Sequence, residues 1–282
     1  MKVLPFKIPK PEQDTLIYQE DFETSFYDKL HQHEEIQFSI ILEGEGTLIV
    51  GDTVNFYSKN DILILDSNMP HVFKSDVKAS EHSRMLSLFF TKESFGSDFF
   101  DLEELLELQK FFKRSKHGFK VTSHKKVLKK LFLKLESSSK LERFIVLLQL
   151  MKIASQANYE SLSSFIYDKK YSDNEGKRMR DVLAFTMNQY TTNITLDAVA
   201  EVSNMTKNAF CKYFKKRTNK TYFQFLNELR IENACKLMQT QTDSSISEIA
   251  YQSGFNNISN FNRQFKMIKG KSPNNYRKNP NS

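Results

Sequence analysis

Two helix-turn-helix patterns follow one another in the last hundred residues, and this repetition constrains the chain more than any other feature. In the second, Ser245 or Ser247 can cap a short helix that carries Glu248-Ile249-Ala250-Tyr251-Gln252-Ser253. Gly254 then supplies the backbone freedom for a sharp turn. A basic helix follows, in which Phe261 and Phe265, four residues apart, share one face. Ser259, Asn262, Arg263 and Lys266 fall on the other face. The first pattern obeys the same logic. Thr195 caps a short helix over residues 196–202, Ser203-Asn204-Met205 makes the turn, and Thr206 caps a helix from Lys207 to Arg217. Phe210 and Phe214 mark its inner face, and Asn208, Cys211, Lys212 and Lys215 its outer one. A single charged helix is usually a solvated surface. Two copies with Phe at i and i+4 and basic residues opposite are shaped for the DNA major groove. Asn pairs with an adenine edge, and Lys or Arg reaches guanine or phosphate. A longer helix from about Tyr222 to Met238, with Phe225, Leu229 and Ala234 inward, would space the two units.

Charge supports this reading. Residues 177–282 hold 17 Lys/Arg against 7 Asp/Glu, a net of +10, whereas residues 1–176 hold 24 against 27, a net of −3. A basic third beside a mildly acidic remainder is an electrostatic footprint for a polyanion. No apolar run approaches the length of a membrane span, and the N-terminus carries prolines and charges rather than a secretory leader. No membrane partner is expected, and the expected location is the cytoplasm, associated with the nucleoid. The two cysteines, Cys211 and Cys235, form no metal-spaced set and read as reduced thiols.

Residues from about 15 to 92 read as short strands separated by turn signals. Examples are Ile36–Leu42, Thr47–Val50 and Ile62–Leu65, with Glu43-Gly44-Glu45-Gly46 and Lys59-Asn60-Asp61 between them, and Met85–Phe90 closing the series. From Phe99 to Phe112 and from His124 to Gln156 the apolar period becomes helical. Leu128, Leu131 and Leu135 line one helix, and Leu141, Ile145, Leu148 and Met151 a second, with a break at residues 136–139. This pair covers the strands, forms a homodimer face, or does both. Residues 167–176 are polar and aperiodic and read as a linker. The expected class is α+β in two domains: a β-barrel with a helical pair over 1–166, and an all-α domain with two helix-turn-helix units over 177–282.

Residues from about Arg178 to Lys278 resemble the DNA-binding domain of the AraC/XylS family of bacterial transcription regulators. The resemblance rests on Ile249-Ala250, Gly254-Phe255, Ser259, Phe261, Phe265-Lys266, Gly270, Ser272-Pro273 and Tyr276-Arg277. It implies recognition helices in adjacent major-groove segments, with Asn208, Cys211 and Lys212 reading bases in the first unit. In the second, Ile258, Ser259, Asn262 and Arg263 would do so. The chain departs from the family at Asn219, where a glycine usually ends the first recognition helix. Asn tolerates the left-handed backbone required there.

The N-terminal part resembles the cupin-type sensory domain common in that family, through His31-Gln32-His33, Gln37, Gly44, Asp61 and Pro70-His71. The resemblance implies a small barrel able to hold one ligand. His31, His33, Gln37, Phe38 and His71 are the candidate effector contacts, and Ile40, Phe56 and Phe73 further candidates for the lining. Gln37 stands where metal-binding cupins carry a glutamate, which leaves a metal set without its charged ligand. The three histidines therefore read as packing and hydrogen-bonding groups, as effector contacts or, least, as a catalytic metal set. No cofactor is expected. The reading is a non-enzymatic, sequence-specific regulator controlled by a small molecule such as a sugar. Its expected partners are double-stranded promoter DNA, the effector and a second copy through the 124–156 helices, with RNA polymerase a candidate. Two alternatives stay open: a metal-dependent cupin enzyme with a DNA-binding tail, and a constitutive DNA binder.

Overall fold

The computed structural model describes residues 15–166 and 172–279, and the chain divides between Gly176 and Lys177 into two compact units. The first contains β1 (Ile17–Glu23), β2 (Ile36–Glu43), β3 (Gly46–Val50), β4 (Thr53–Tyr57), β5 (Ile62–Leu65), β6 (His71–Ser75) and β7 (Ser83–Phe90). Two 3-10 turns, Phe99–Asp101 and Glu103–Leu108, lead into α1 (Gln109–Ser115), followed by β8 (Phe119–Val121), α2 (Lys125–Lys134), α3 (Lys140–Gln156) and β9 (Tyr159–Ser161). Within the described residues, one antiparallel sheet runs β1-β7-β2-β5-β8-β9 and a second runs β4-β3-β6.

Strands β2, β5 and β7 are buried on both faces, and period-2 alternation decides what each face meets. Ile36, Phe38, Ile40, Ile62, Ile64, Leu86 and Leu88 turn toward the helices and pack with Phe111, Leu128, Phe132, Leu147 and Leu150. Ile41, Leu63, Leu65 and Met85 turn the other way and pack with Leu48, Val50 and Phe73 of the second sheet. The space between the sheets is therefore faced by the odd-numbered residues of β2. This corrects the expectation for Phe38. Its ring lies 5.6 Å from that of Phe111 and 5.3 Å from that of Phe132, beneath the helices rather than in the barrel. Ile40 shares that outer face, and Phe56 alternates with Tyr57, whose ring is inside, so Phe73 is the inner one of these candidates. β8 lies between the two stretches read as helical and β9 just after the second, and at three residues each they are too short to register as a period.

The expected break separates α2 from α3, and Ser139 with Glu142 forms a capping box at the start of α3. The helix pair packs one set of apolar residues on the sheet and leaves another exposed. Leu128, Phe132, Leu135, Leu147, Leu150 and Met151 are buried against the sheet, whereas Val127 (49%), Leu133 (48%), Leu141 (68%) and Ile145 (47%) remain exposed.

Asp66, half-buried, has its carboxyl pushed above the ordinary range by burial, although Ser115 donates to Oδ1 at 3.0 Å. A carboxyl whose folded pKa is raised favours folding at low pH, and the contribution is lost as pH rises through the raised value. Asp66→Asn keeps an acceptor without the charge. Its melting temperature is expected to match that of the native chain near pH 4 and to exceed it at neutral pH. An equal shift at both pH values would contradict this.

The second unit is helical: α4 (Asp173–Gln189), α5 (Leu196–Val202), α6 (Lys207–Thr218), α7 (Tyr222–Thr240), α8 (Ile246–Gln252), α9 (Ile258–Lys269) and α10 (Pro273–Lys278). Of the segment read as linker, residues 167–171 lie outside the described residues, and 173–176 are the first turn of α4. The signal for that start is Ser172-x-x-Glu175: Glu175 N donates to Ser172 Oγ at 3.4 Å and Ser172 N to Glu175 Oε2 at 3.2 Å. Phe210, Phe214, Tyr222 and Phe225 form an edge-to-face aromatic group in the first half of the unit. Ile231, Cys235, Met238, Ile249, Phe255, Phe261 and Phe265 form the core of the second half.

Candidate functional site

α6 and α9 are built alike, with each residue of α9 standing 51 positions after its counterpart in α6 (Phe261 against Phe210, Phe265 against Phe214). Thr206 caps α6 by accepting from Ala209 N, and Asn257 caps α9 by accepting from Asn260 N at 3.0 Å. Both helices end on a left-handed residue, Asn219 (φ 56°) and Gly270 (φ 71°), whose N–H groups donate to Lys215 O and Lys266 O at 2.9 Å. The departure at Asn219 is thus absorbed without a change of geometry.

The turns before the two helices are also equivalent. Met205 N donates to Ala200 O and Phe255 N to Ala250 O, each at 3.0 Å, and the left-handed residue is Asn204 (φ 52°) in one and Gly254 (φ 90°) in the other. Packing explains why only the second needs glycine. Asn204 is exposed, but a Cβ on Gly254 would lie 2.6 Å from Tyr190 O and 2.9 Å from Arg230 Nε. Arg230, read from sequence only as a polar position of the spacer helix, ties this corner together. Its Nε donates to Tyr190 O and its Nη2 to Thr192 O, each at 2.7 Å, just beyond the C-terminal end of α4. A cation at that end also meets the negative end of the helix dipole.

With the phenylalanines turned in, the opposite faces are open. Asn208, Cys211, Lys212 and Lys215 are exposed on α6, and Ser259, Asn262, Arg263 and Lys266 on α9. Ile258 differs: it is half-buried and packs on the core of the second half. Arg263 Nη2 donates to Asn260 Oδ1 at 3.0 Å, which holds the guanidinium along the helix surface. Each outer face therefore combines amide or hydroxyl groups with cations, the side-chain chemistry of base and phosphate contact.

The comparisons with known proteins agree. Residues 199–279 match the family described as "Helix-turn-helix domain", and residues 20–88 match "Cupin domain". The chain thus carries a helix-turn-helix domain and a cupin domain and is similar to HTH-type transcriptional regulators of the AraC type. The HTH-type transcriptional regulator YdeC of Bacillus subtilis (strain 168) is 23% identical over 261 residues, covering 89% of this chain and 87% of that protein. The HTH-type transcriptional activator RhaS of Enterobacter sp. (strain 638) is 27% identical over 94 residues, 33% of this chain and 34% of RhaS. The crystal structure of ToxT from Vibrio cholerae O395 aligns over 93% of this chain and 97% of its own, at 17% identity and a TM-score of 0.36.

The residues singled out as candidate effector contacts, Phe38 excepted, cluster between the sheets of the first unit. A backbone bridge joins His31 to His71, and the ring centroids of His31 and His71 are 4.3 Å apart, those of His33 and His71 5.1 Å. All three side chains are nearly or fully buried, and one ring nitrogen from each lies within 4.8 Å of the others. Gln37 joins them: its Oε1 is 3.3 Å from His33 Nε2. The structure also shows a polar lane that the sequence reading missed. Gln37 Nε2 donates to Ser39 Oγ at 3.0 Å, and Ser39 Oγ lies 2.7 Å from Ser87 Oγ. The alternation Gln37-x-Ser39 within an otherwise apolar strand was the available signal.

Proposed function

We propose that the chain is a sequence-specific, promoter-binding regulator whose affinity for DNA is set by a small ligand held between the sheets of its N-terminal unit. The observation that carries this reading is the matched pair of recognition helices, α6 and α9, with equivalent turns, caps and outward side chains. Asn208, Cys211, Lys212, Lys215, Ser259, Asn262, Arg263 and Lys266 are the proposed DNA contacts, with Ile258 positioning α9 from its half-buried place. The ligand contacts are His31, His33, Gln37 and His71. The exposed apolar residues of α2 and α3 support a homodimer through those helices, since burying such side chains against a second copy is favourable.

The two cations of α9 separate readout from anchoring. Arg263→Ala is expected to lose about 1–3 kcal/mol at a specific site and to relax selectivity at one base position. Lys266→Ala should weaken binding to all duplexes and make the dependence on salt shallower by about one unit of slope. Fluorescence-anisotropy titrations at several salt concentrations measure both. A uniform loss across sequences for Arg263→Ala would remove it from base readout.

A further inference from the structure

The small net charge of the first unit conceals a sharp separation of charge. Residues 109–140 hold 11 Lys/Arg against one Asp/Glu, a net of +10, whereas the other residues of 1–176 hold 13 against 26, a net of −13. This one stretch thus carries as much net positive charge as the whole helix-turn-helix unit.

Helix α2 lies within that stretch, with five lysines and no acidic residue. The structure sorts the five into two sets. Lys125 Nζ donates to Asp61 Oδ1 at 2.9 Å and Lys129 Nζ to Asn60 Oδ1 at 2.7 Å, so these two tie the helix to the turn before β5. Lys126, Lys130 and Lys134 stand four residues apart in one exposed row. Among the described residues no carboxylate pairs with any of the three. Like charges four apart repel and weaken a helix. The row therefore does nothing for the fold, to which α2 contributes through Leu128 and Phe132, buried on its other face.

The row fits a nucleic-acid backbone. Eight residues of helix span about 12 Å, over which one strand of a duplex presents roughly three phosphates. Lysine meets a phosphate as a point charge and needs no particular base. A membrane surface fits less well, because only Val127 and Leu133 are exposed beside the row, too little apolar surface to seat a helix in lipid. The covalent link to a DNA-binding unit favours duplex as well. Once that unit is on its site, the flanking DNA is offered to α2 at the high effective concentration of a tethered partner. A second copy seated on the exposed Leu141 and Ile145 of α3 would leave the row open.

We infer that Lys126, Lys130 and Lys134 form a second, sequence-independent DNA contact, through which the N-terminal unit grips phosphates of the duplex beside the operator. Where the contact falls rests on the regulator reading above; the contact itself does not.

The test compares the full-length protein on a selected operator core and on the same core with about 20 base pairs, two helical turns, added at each end. Affinity is titrated by fluorescence anisotropy over a range of salt. The added flanks are expected to steepen the dependence of log K on log salt by about two to three units per chain. Lys126→Gln/Lys130→Gln should lose about two of those units on the long duplex and bind the short one as the native chain does. Both positions are exposed and Gln suits a helix, so the fold is retained. Lys59→Gln/Lys78→Gln removes the same charge from exposed positions outside the stretch and should behave as the native chain on both duplexes. Equal slopes for the native chain and Lys126→Gln/Lys130→Gln on the long duplex overturn the contact. An equal loss in both double variants also overturns it, since net charge alone then explains the effect. A changed monomer–dimer equilibrium in Lys126→Gln/Lys130→Gln, measured by sedimentation, with the slope unchanged, assigns the row to a second copy instead. Binding to phosphatidylserine vesicles that this variant loses, again with the slope unchanged, assigns it to a membrane. Either result overturns the DNA contact. A protein that prefers no core over random duplex, yet loses about two units of slope on long random duplex in this variant, keeps the contact and overturns the regulator reading alone.

Discussion

Gly254→Ala is expected to destabilise the DNA-binding unit by about 2–4 kcal/mol and to abolish operator binding at temperatures where the native chain is saturated. Two costs add at this position. The backbone holds φ at +90°, a conformation that an L side chain adopts at a cost. The new methyl would also sit 2.6 Å from Tyr190 O and 2.9 Å from Arg230 Nε, neither of which can yield cheaply. Moving Arg230 would break its hydrogen bonds to Tyr190 O and Thr192 O and leave two carbonyls without their donor. Gly270→Ala is the internal comparison. Its φ is +71° but nothing lies within 4 Å of the added carbon, so only the backbone term, about 1 kcal/mol, is expected. The chain has no tryptophan, so thermal melts followed by far-ultraviolet circular dichroism are the suitable readout. Equal losses for the two variants would show that the close approach at Gly254 contributes nothing.

The second large effect is expected in the other unit. Phe38→Ala should cost about 3–5 kcal/mol, the usual range for truncating a buried phenylalanine. The ring is fully buried between Phe111 and Phe132, and small movements of helices cannot fill the space it leaves. The folded fraction of this variant should nevertheless keep the ligand affinity of the native chain, because Phe38 faces the helices. Gln37→Ala should behave in the opposite way, with a modest loss of stability and a marked change in ligand affinity, since Gln37 faces the histidines. Urea unfolding paired with ligand titration separates the two. Loss of ligand affinity in folded Phe38→Ala would place that ring at the binding site after all.

This pair of neighbours shows how far the sequence could be read. The helical pair and both helix-turn-helix units were legible through their apolar period, and the strands through short runs of β-branched and aromatic residues between turn signals. The outward residues of α6 and α9 followed directly from Phe210, Phe214, Phe261 and Phe265, which fix the inner face. Ile258 did not follow, because its place at the first turn lets it fold back on the core. Gln37 and Phe38 were grouped as contacts of one site, yet adjacent strand residues point to opposite faces. β2 is buried on both sides, so hydrophobicity alone carried no sign of which side held the ligand. Only the polar alternation Gln37-x-Ser39 distinguished them. The tie of Arg230 to Tyr190 O and Thr192 O spans about 40 positions of chain and leaves no local signal. The same holds for the contact of Asp52 with Ser163 and Ser164. Long-range contacts of buried polar groups are what one sequence conceals most thoroughly.

The central claim is that one chain reads DNA through two equivalent helices. Selection from a pool of random duplexes, using the full-length protein at moderate salt, tests it most directly. The account predicts enrichment of a bipartite motif whose two halves lie about one helical turn, roughly 10 base pairs, apart. Arg263→Ala should lose information in one half and Lys212→Ala in the other. A pool that shows no enrichment over its starting composition, or a motif of one short half that both variants degrade alike, would contradict it.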